Sequence, residues 1–171
     1  MKFKPEQLFA LNVKDIIAGC LSMIIPIQQH EIDNFFDRYE ARINDALEGN
    51  HPEIEETARS FSEFFIESSP SRVVVGNNDE NFQKAIVQGW DYYRSIGIFS
   101  MEILSTQITI LDTLHGIVKV HWRSSFRRKD NTEGDVDFDV FYLLHKKDDD
   151  IQIFAYITGD EQQAMKNEGL I

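Results

Sequence analysis

Asp137 and Asp139 alternate with Val136, Phe138 and Val140, the two-residue period of a β-strand. Residues two apart on a strand share a face, so these aspartates form a carboxylate pair of the kind general acid–base catalysis uses. Such a pair must lie in an apolar pocket that tunes its pKa. Arg123 and Arg127 alternate in the same way in the strand before, so cross-strand ion pairs on a solvated face are the simpler reading. A register slip of one residue would turn both aspartates inward and restore the catalytic reading. Glu102 is the third catalytic candidate. The alternation of its strand puts it on the inner side, although a solvated strand end explains it as simply.

Aromatic residues form the second set. Tyr39, Trp90, Tyr93, Trp122 and Tyr142 all fall at positions expected to face inward, with Ser124 beside them. Aromatic walls with a few polar tips suit a pocket for a small apolar molecule, the hydroxyls orienting it. A solid aromatic core is the alternative. Gly159-Asp160-Glu161 reads as a helix cap whose acids could also line a pocket mouth.

The remaining chemistry-bearing residues point to simpler roles. His121 and His145 fall on the outer sheet face, His115 in a turn, and His30 and His51 near helix starts. None has a partner at catalytic spacing. Asp148-Asp149-Asp150 is consecutive, whereas calcium loops place ligands at alternate positions around a glycine. No Cys/His spacing resembles a zinc site. No metal and no cofactor is expected.

The elements that must position these residues follow from periodicity. Phe9, Val13, Ile16, Ile17, Cys20 and Ile24 predict an amphipathic N-terminal helix ended by Pro26. Ile32, Phe36, Tyr39, Ile43 and Leu47 predict a second helix over about Glu31 to Glu48, with Gly49 as its stop. Pro52 opens a third, with Ile54, Ala58, Phe61 and Phe65 on one face and Ser68-Ser69-Pro70 as its end. Arg72 to Gly76 reads as a short strand. A fourth helix, capped within Asn77 to Glu80, presents Phe82, Ile86, Gly89, Trp90, Tyr93 and Ile96 inward. Gly89 in mid-helix reads as close packing against a neighbour, with room for a ligand as the functional alternative.

From Met101 the period becomes two. Strands are expected over Met101 to Leu111, Ile117 to Arg128, Val136 to His145 and Ile151 to Thr158, followed by a short helix capped by Asp160. In the two central strands one face carries Val118, Val120, Trp122, Ser124 and Phe126 against Val136, Phe138, Val140, Tyr142 and Leu144. A turn centred near Asn131 would pair Arg123 with Asp139 and Arg127 with Asp135, and Trp122 with Val140. Phe141 and Leu143 interrupt the polarity of the outer face, which predicts a homodimer through that face.

A net charge of −12, with Arg123, Arg127, Arg128 and Lys129 as the only basic cluster, argues against nucleic acid and against anionic membrane surfaces. The single Cys20 excludes an intramolecular disulfide framework. Ile17-Ala18-Gly19-Cys20 looks like a lipoprotein cleavage box, but Glu6, Lys14 and Asp15 break the apolar core that should precede it. A cytoplasmic location is the expectation, with anchoring at Cys20 the alternative.

Gly89-Trp90-Asp91-Tyr92-Tyr93, Val120-His121-Trp122-Arg123, Asp137-Phe138-Asp139-Val140 and Ile153-Phe154-Ala155-Tyr156, in this order of elements, resemble the nuclear transport factor 2-like superfamily, which includes ketosteroid-isomerase-like and SnoaL-like proteins. The resemblance covers about Ile32 to Ile171. It implies an α+β cone, a curved antiparallel four-stranded meander wrapped around N-terminal helices and a pocket. Residues 1–30 are then a helical extension and residues 31–171 the domain. The isomerase-type members carry a general-base carboxylate near the short strand, where this chain has Arg72-Val73-Val74-Val75, so isomerase chemistry is not implied. A domain of uncharacterised function that binds a small apolar molecule is the leading expectation. An isomerase, cyclase or dehydratase, and a protein-interaction domain, are the alternatives.

Overall fold

The stripe of Ile32, Phe36, Ile43 and Leu47 folds as helix α1 (Gln29–Leu47) in the computed structural model, which describes residues 25–50, 53–148 and 150–171. The predicted N-terminal helix, and Cys20 with it, lie outside the described residues. The start of α1 is fixed twice by Glu31. Its carboxylate accepts the Gln28 backbone N–H at 2.9 Å and the ammonium of Lys146 at 2.7 Å. Lys146 is only 1 % exposed, so this pair fastens the helix to the sheet from inside. Further along, the Asn44 amide pairs with both the N–H and the C=O of Met101.

The third helix is shorter than periodicity suggests. Helix α2 covers only Ile54–Arg59, and Phe61–Ser69 is strand β1. A spacing of four puts Phe61 and Phe65 on one face of either a helix or a strand, so the pattern could not distinguish them. β1 forms a hairpin with β2 (Arg72–Asn77) across the Pro70-Ser71 turn. Helix α3 (Glu80–Ser95) follows, capped by the Asp79 carboxylate, which accepts the N–H groups of Asn81 and Phe82.

The four long strands appear as β3 (Ile98–Ile110), β4 (His115–Arg127), β5 (Glu133–Lys147) and β6 (Asp150–Thr158), with α4 (Glu161–Asn167) after them. The meander is joined by the first hairpin through a parallel β1–β6 pairing. The result is one curved, unclosed sheet of six strands in the order β2-β1-β6-β5-β4-β3. Phe65 stands opposite Gly76 and Phe126 opposite Gly134. In both cases a Cβ on the glycine would meet the ring at under 3 Å, so the absence of a side chain lets each phenylalanine lie across its neighbour strand.

The β4–β5 register differs from the expected one by two residues. Arg123 pairs with Asp137, Trp122 with Phe138, and Arg127 with Glu133. The turn centres on Asp130, whose carboxylate accepts the N–H and hydroxyl of Thr132, while Asn131 takes a left-handed φ of 66°. A two-residue shift leaves every side chain on its predicted face. Val118, Val120, Trp122 and Phe126 are accordingly buried beneath the helices.

Bulges change parity elsewhere. The one at Leu104, between Ile103 and Ser105 of β3, leaves Thr106 and Ile108 inside but turns Glu102 to the side of its partner Arg123. The one at Phe154 puts Ile151, Ile153 and Tyr156 on the same inner face.

Candidate functional site

A cavity of about 700 Å³ lies between the inner face of the sheet and helices α1, α3 and α4. Each wall comes from an element already described. The α1 stripe supplies Tyr39, one turn of α3 supplies Trp90 and Tyr93, and β4, β5 and β6 supply Trp122, Tyr142 and Tyr156. The rings brace one another. Tyr39 meets Tyr142 edge-on at 6.3 Å between centroids, and Phe61 meets Tyr156 at 5.9 Å.

Five of the six predicted ligand-binding residues therefore line one cavity. Ser124 does not. It faces inward but is fully buried away from the cavity, and its hydroxyl has no hydrogen-bond partner among the described residues. Gly89 lines the cavity too, and nothing lies within 4 Å of where its Cβ would be. The expected close packing is absent there, and the glycine leaves open space.

All three catalytic candidates lie outside. Arg123 grips Asp137 with two hydrogen bonds of 2.8 Å, and Asp139 accepts from Lys119 and His121, each at 2.8 Å. The guanidinium and the ammonium hold these carboxyls below the usual carboxylate range. Glu102 is exposed and opposite Arg123.

The acids that do line the cavity are others. Glu161, the first residue of α4, accepts the Tyr93 hydroxyl at 2.7 Å, and Glu67 of β1 accepts the Tyr156 hydroxyl at 2.9 Å. Burial raises the Glu161 carboxyl above its ordinary value, and the Tyr93 hydrogen bond only partly offsets this. Burial also pushes the Tyr39 hydroxyl up to about 12 and raises those of Tyr93, Tyr142 and Tyr156 further. The four phenols thus remain protonated donors at neutral pH. Asp160 caps α4 through the N–H of Gln163, which leaves Glu161 free to point elsewhere.

Three of these residues were not among the sequence-based site candidates. Glu67 sits in the segment whose spacing read as helix, and Tyr156 reaches the inner face through a bulge. For Glu161 the Gly159-Asp160-Glu161 cap was the available signal. Among the described residues, no group of three or more His, Cys, Asp or Glu is placed to hold a metal, and no helix is long and apolar enough to cross a membrane.

Solved structures share this fold at low identity. An NTF2-like protein of unknown function from Shewanella oneidensis matches with a TM-score of 0.59 at 15% identity, over 78% of this chain and 100% of that one. An NTF2-like protein with a cystatin-like fold from Novosphingobium aromaticivorans matches with a TM-score of 0.57 at 10% identity, over 84% and 88%. A ketosteroid isomerase-like protein from Erwinia carotovora atroseptica matches with a TM-score of 0.54 at 14% identity, over 76% and 93%. No curated protein matches the sequence. The family model for "NTF2-like protein (DUF6841)" matches residues 30–161, the span that builds the sheet and the cavity, and the chain belongs to that family.

Proposed function

We propose that this protein binds a small, largely apolar molecule in the cone cavity. The observation that carries the reading is the cavity of about 700 Å³ itself, walled by aromatic rings, protonated phenols among them. A volume of this order fits one drug-sized molecule, and such walls supply apolar contact with a few orienting donors. A native mass spectrum of protein purified without added ligand tests it. A reproducible small-molecule adduct that Gly89→Trp removes is expected. A bare protein that also takes up none of a panel of apolar compounds would falsify the reading.

A second reading, acid–base catalysis, is favoured by one observation. Burial raises the Glu161 carboxyl above its ordinary value, and a phenol donor stands 2.7 Å from it, a pairing of the kind general acid–base catalysis uses. The experiment is NMR detection of α-proton exchange in D2O on a ketone panel. Exchange lost in Glu161→Gln supports catalysis, and no exchange on any ketone counts against it.

The outer face supports a homodimer. Leu143, Ile66 and Val75 fall in one cross-strand row, and Phe141, Ile157 and Val73 in the next. Phe141, Ile157 and Ile66 are 40 %, 45 % and 43 % exposed, a contiguous apolar surface wider than the two residues noted in the sequence. A second copy presenting the same rows would cover it self-complementarily.

A further inference from the structure

We propose that the cavity's ligand is an amine: a small apolar molecule whose protonated nitrogen is held by the Glu161 carboxylate against the surrounding aromatic faces. The inference rests on the binding reading above and names its ligand class. Three independent features carry it.

First, the charge of the lining has one sign. Glu67, Asp79 and Glu161 line the cavity, and among the described residues no Lys, Arg or His does. Two of these acids are already engaged. Asp79 caps α3, and Glu67 has Arg72 at 3.7 Å from outside the lining. Glu161 has only the Tyr93 hydroxyl, a neutral donor, on Oε1, and among the described residues nothing donates to its Oε2. A carboxylate at a desolvated site without a cation is costly, and a ligand ammonium would supply the missing charge.

Second, the rings near Glu161 suit a cation. Tyr93 is hydrogen-bonded to Glu161, and Tyr39 and Tyr142, 6.3 Å apart between centroids, line the same cavity. With Trp90 and Trp122 they make an aromatic lining, and the quadrupole of such rings attracts an alkylammonium. An anionic ligand would find no counter-charge here.

Third, a polar position is left open elsewhere on the wall. Thr57 lines the cavity and is 3 % exposed, yet its hydroxyl has no hydrogen-bond partner among the described residues. Buried hydroxyls are normally satisfied, so a ligand with a second polar group would complete the site.

The test uses the chain's own reporters. Its two tryptophans, Trp90 and Trp122, both line the cavity, so their emission follows occupancy. Titrate the full chain with 4-phenylbutylamine, 4-phenylbutanol and 4-phenylbutyrate, which share one apolar body and differ in charge. The expected result is amine affinity about tenfold or more above the alcohol, the carboxylate weakest, and an amine-to-alcohol ratio near one in Glu161→Gln. Equal affinity of amine and alcohol in the native chain overturns the amine inference and leaves the cavity reading standing. No emission change with any of the three overturns both.

Discussion

Tyr93 Oη stands 2.7 Å from Glu161 Oε1, joining the last turn of α3 to the first turn of α4 in the cavity wall. The bond has a direction. The phenol is held protonated by burial and by the acid beside it, so it donates, and the carboxylate accepts. Short range in sequence plays no part in this contact. It exists because α3 and α4 close on the same rim.

Glu161 sets a pH dependence of stability. Its folded pKa is raised, so between the ordinary glutamate value and the raised one the native state binds more protons than the unfolded state. Stability from this group is present at low pH and falls as pH rises through that window. Glu161→Gln keeps an acceptor for Tyr93 and abolishes the fall. The variant is expected to be more stable than the native chain at pH 7 and to converge with it near pH 4, about the ordinary glutamate value. Urea denaturation across that range measures the difference.

Lys146 and Glu31 behave oppositely. Removing the acid leaves a 1 %-exposed ammonium without its partner, so Glu31→Ala should destabilise the fold by about 3–5 kcal/mol. Replacing both ends, Lys146→Met with Glu31→Ala, should cost much less than the single change. A double-mutant cycle by urea melts reads the coupling. An additive cycle would mean that the pair is not coupled.

Gly89 offers a gain. Its added Cβ meets nothing, so Gly89→Ala should raise stability by about 1 kcal/mol through helix propensity alone. A thermal melt showing a lower Tm would place a neighbour against that glycine after all.

The outer-face dimer predicts a change of mass. Phe141→Asp together with Ile66→Asp puts charge into both apolar rows without touching the cavity. Sedimentation velocity is expected to give a dimer for the native chain and a monomer for the double variant, with unchanged circular dichroism. A native monomer at high concentration would leave the rows without a second copy to cover them.

How far the sequence could be read depended on where its periods were unambiguous. The inner faces of β4 and β5 were legible, because Val118 to Phe126 and Val136 to Leu144 alternate without interruption. Even their two-residue register error moved no side chain across the sheet. Glu102 was misplaced because a single extra residue at Leu104 reverses parity upstream of it. The same device at Phe154 concealed Tyr156. Phe61 and Phe65 failed differently, since a spacing of four satisfies both periods, and Glu67 was lost with them. The aromatic part of the cavity was visible in patterning, whereas its acids come from a misassigned strand and from a helix cap.

The parallel pairing of β1 with β6 has a consequence for the order of assembly. The three hairpins of the meander close over short loops and can form locally, but Phe61 must find Ile153 across about half of the chain. During synthesis, β6 leaves the ribosome long after β1. Until then β1 and β2 have no strand to lean on, and Phe61, Phe65 and the apolar rows around them stay uncovered. The cavity wall formed by Glu67 and Tyr156 is therefore a late structure, and this nascent hairpin is the segment a holding chaperone would protect.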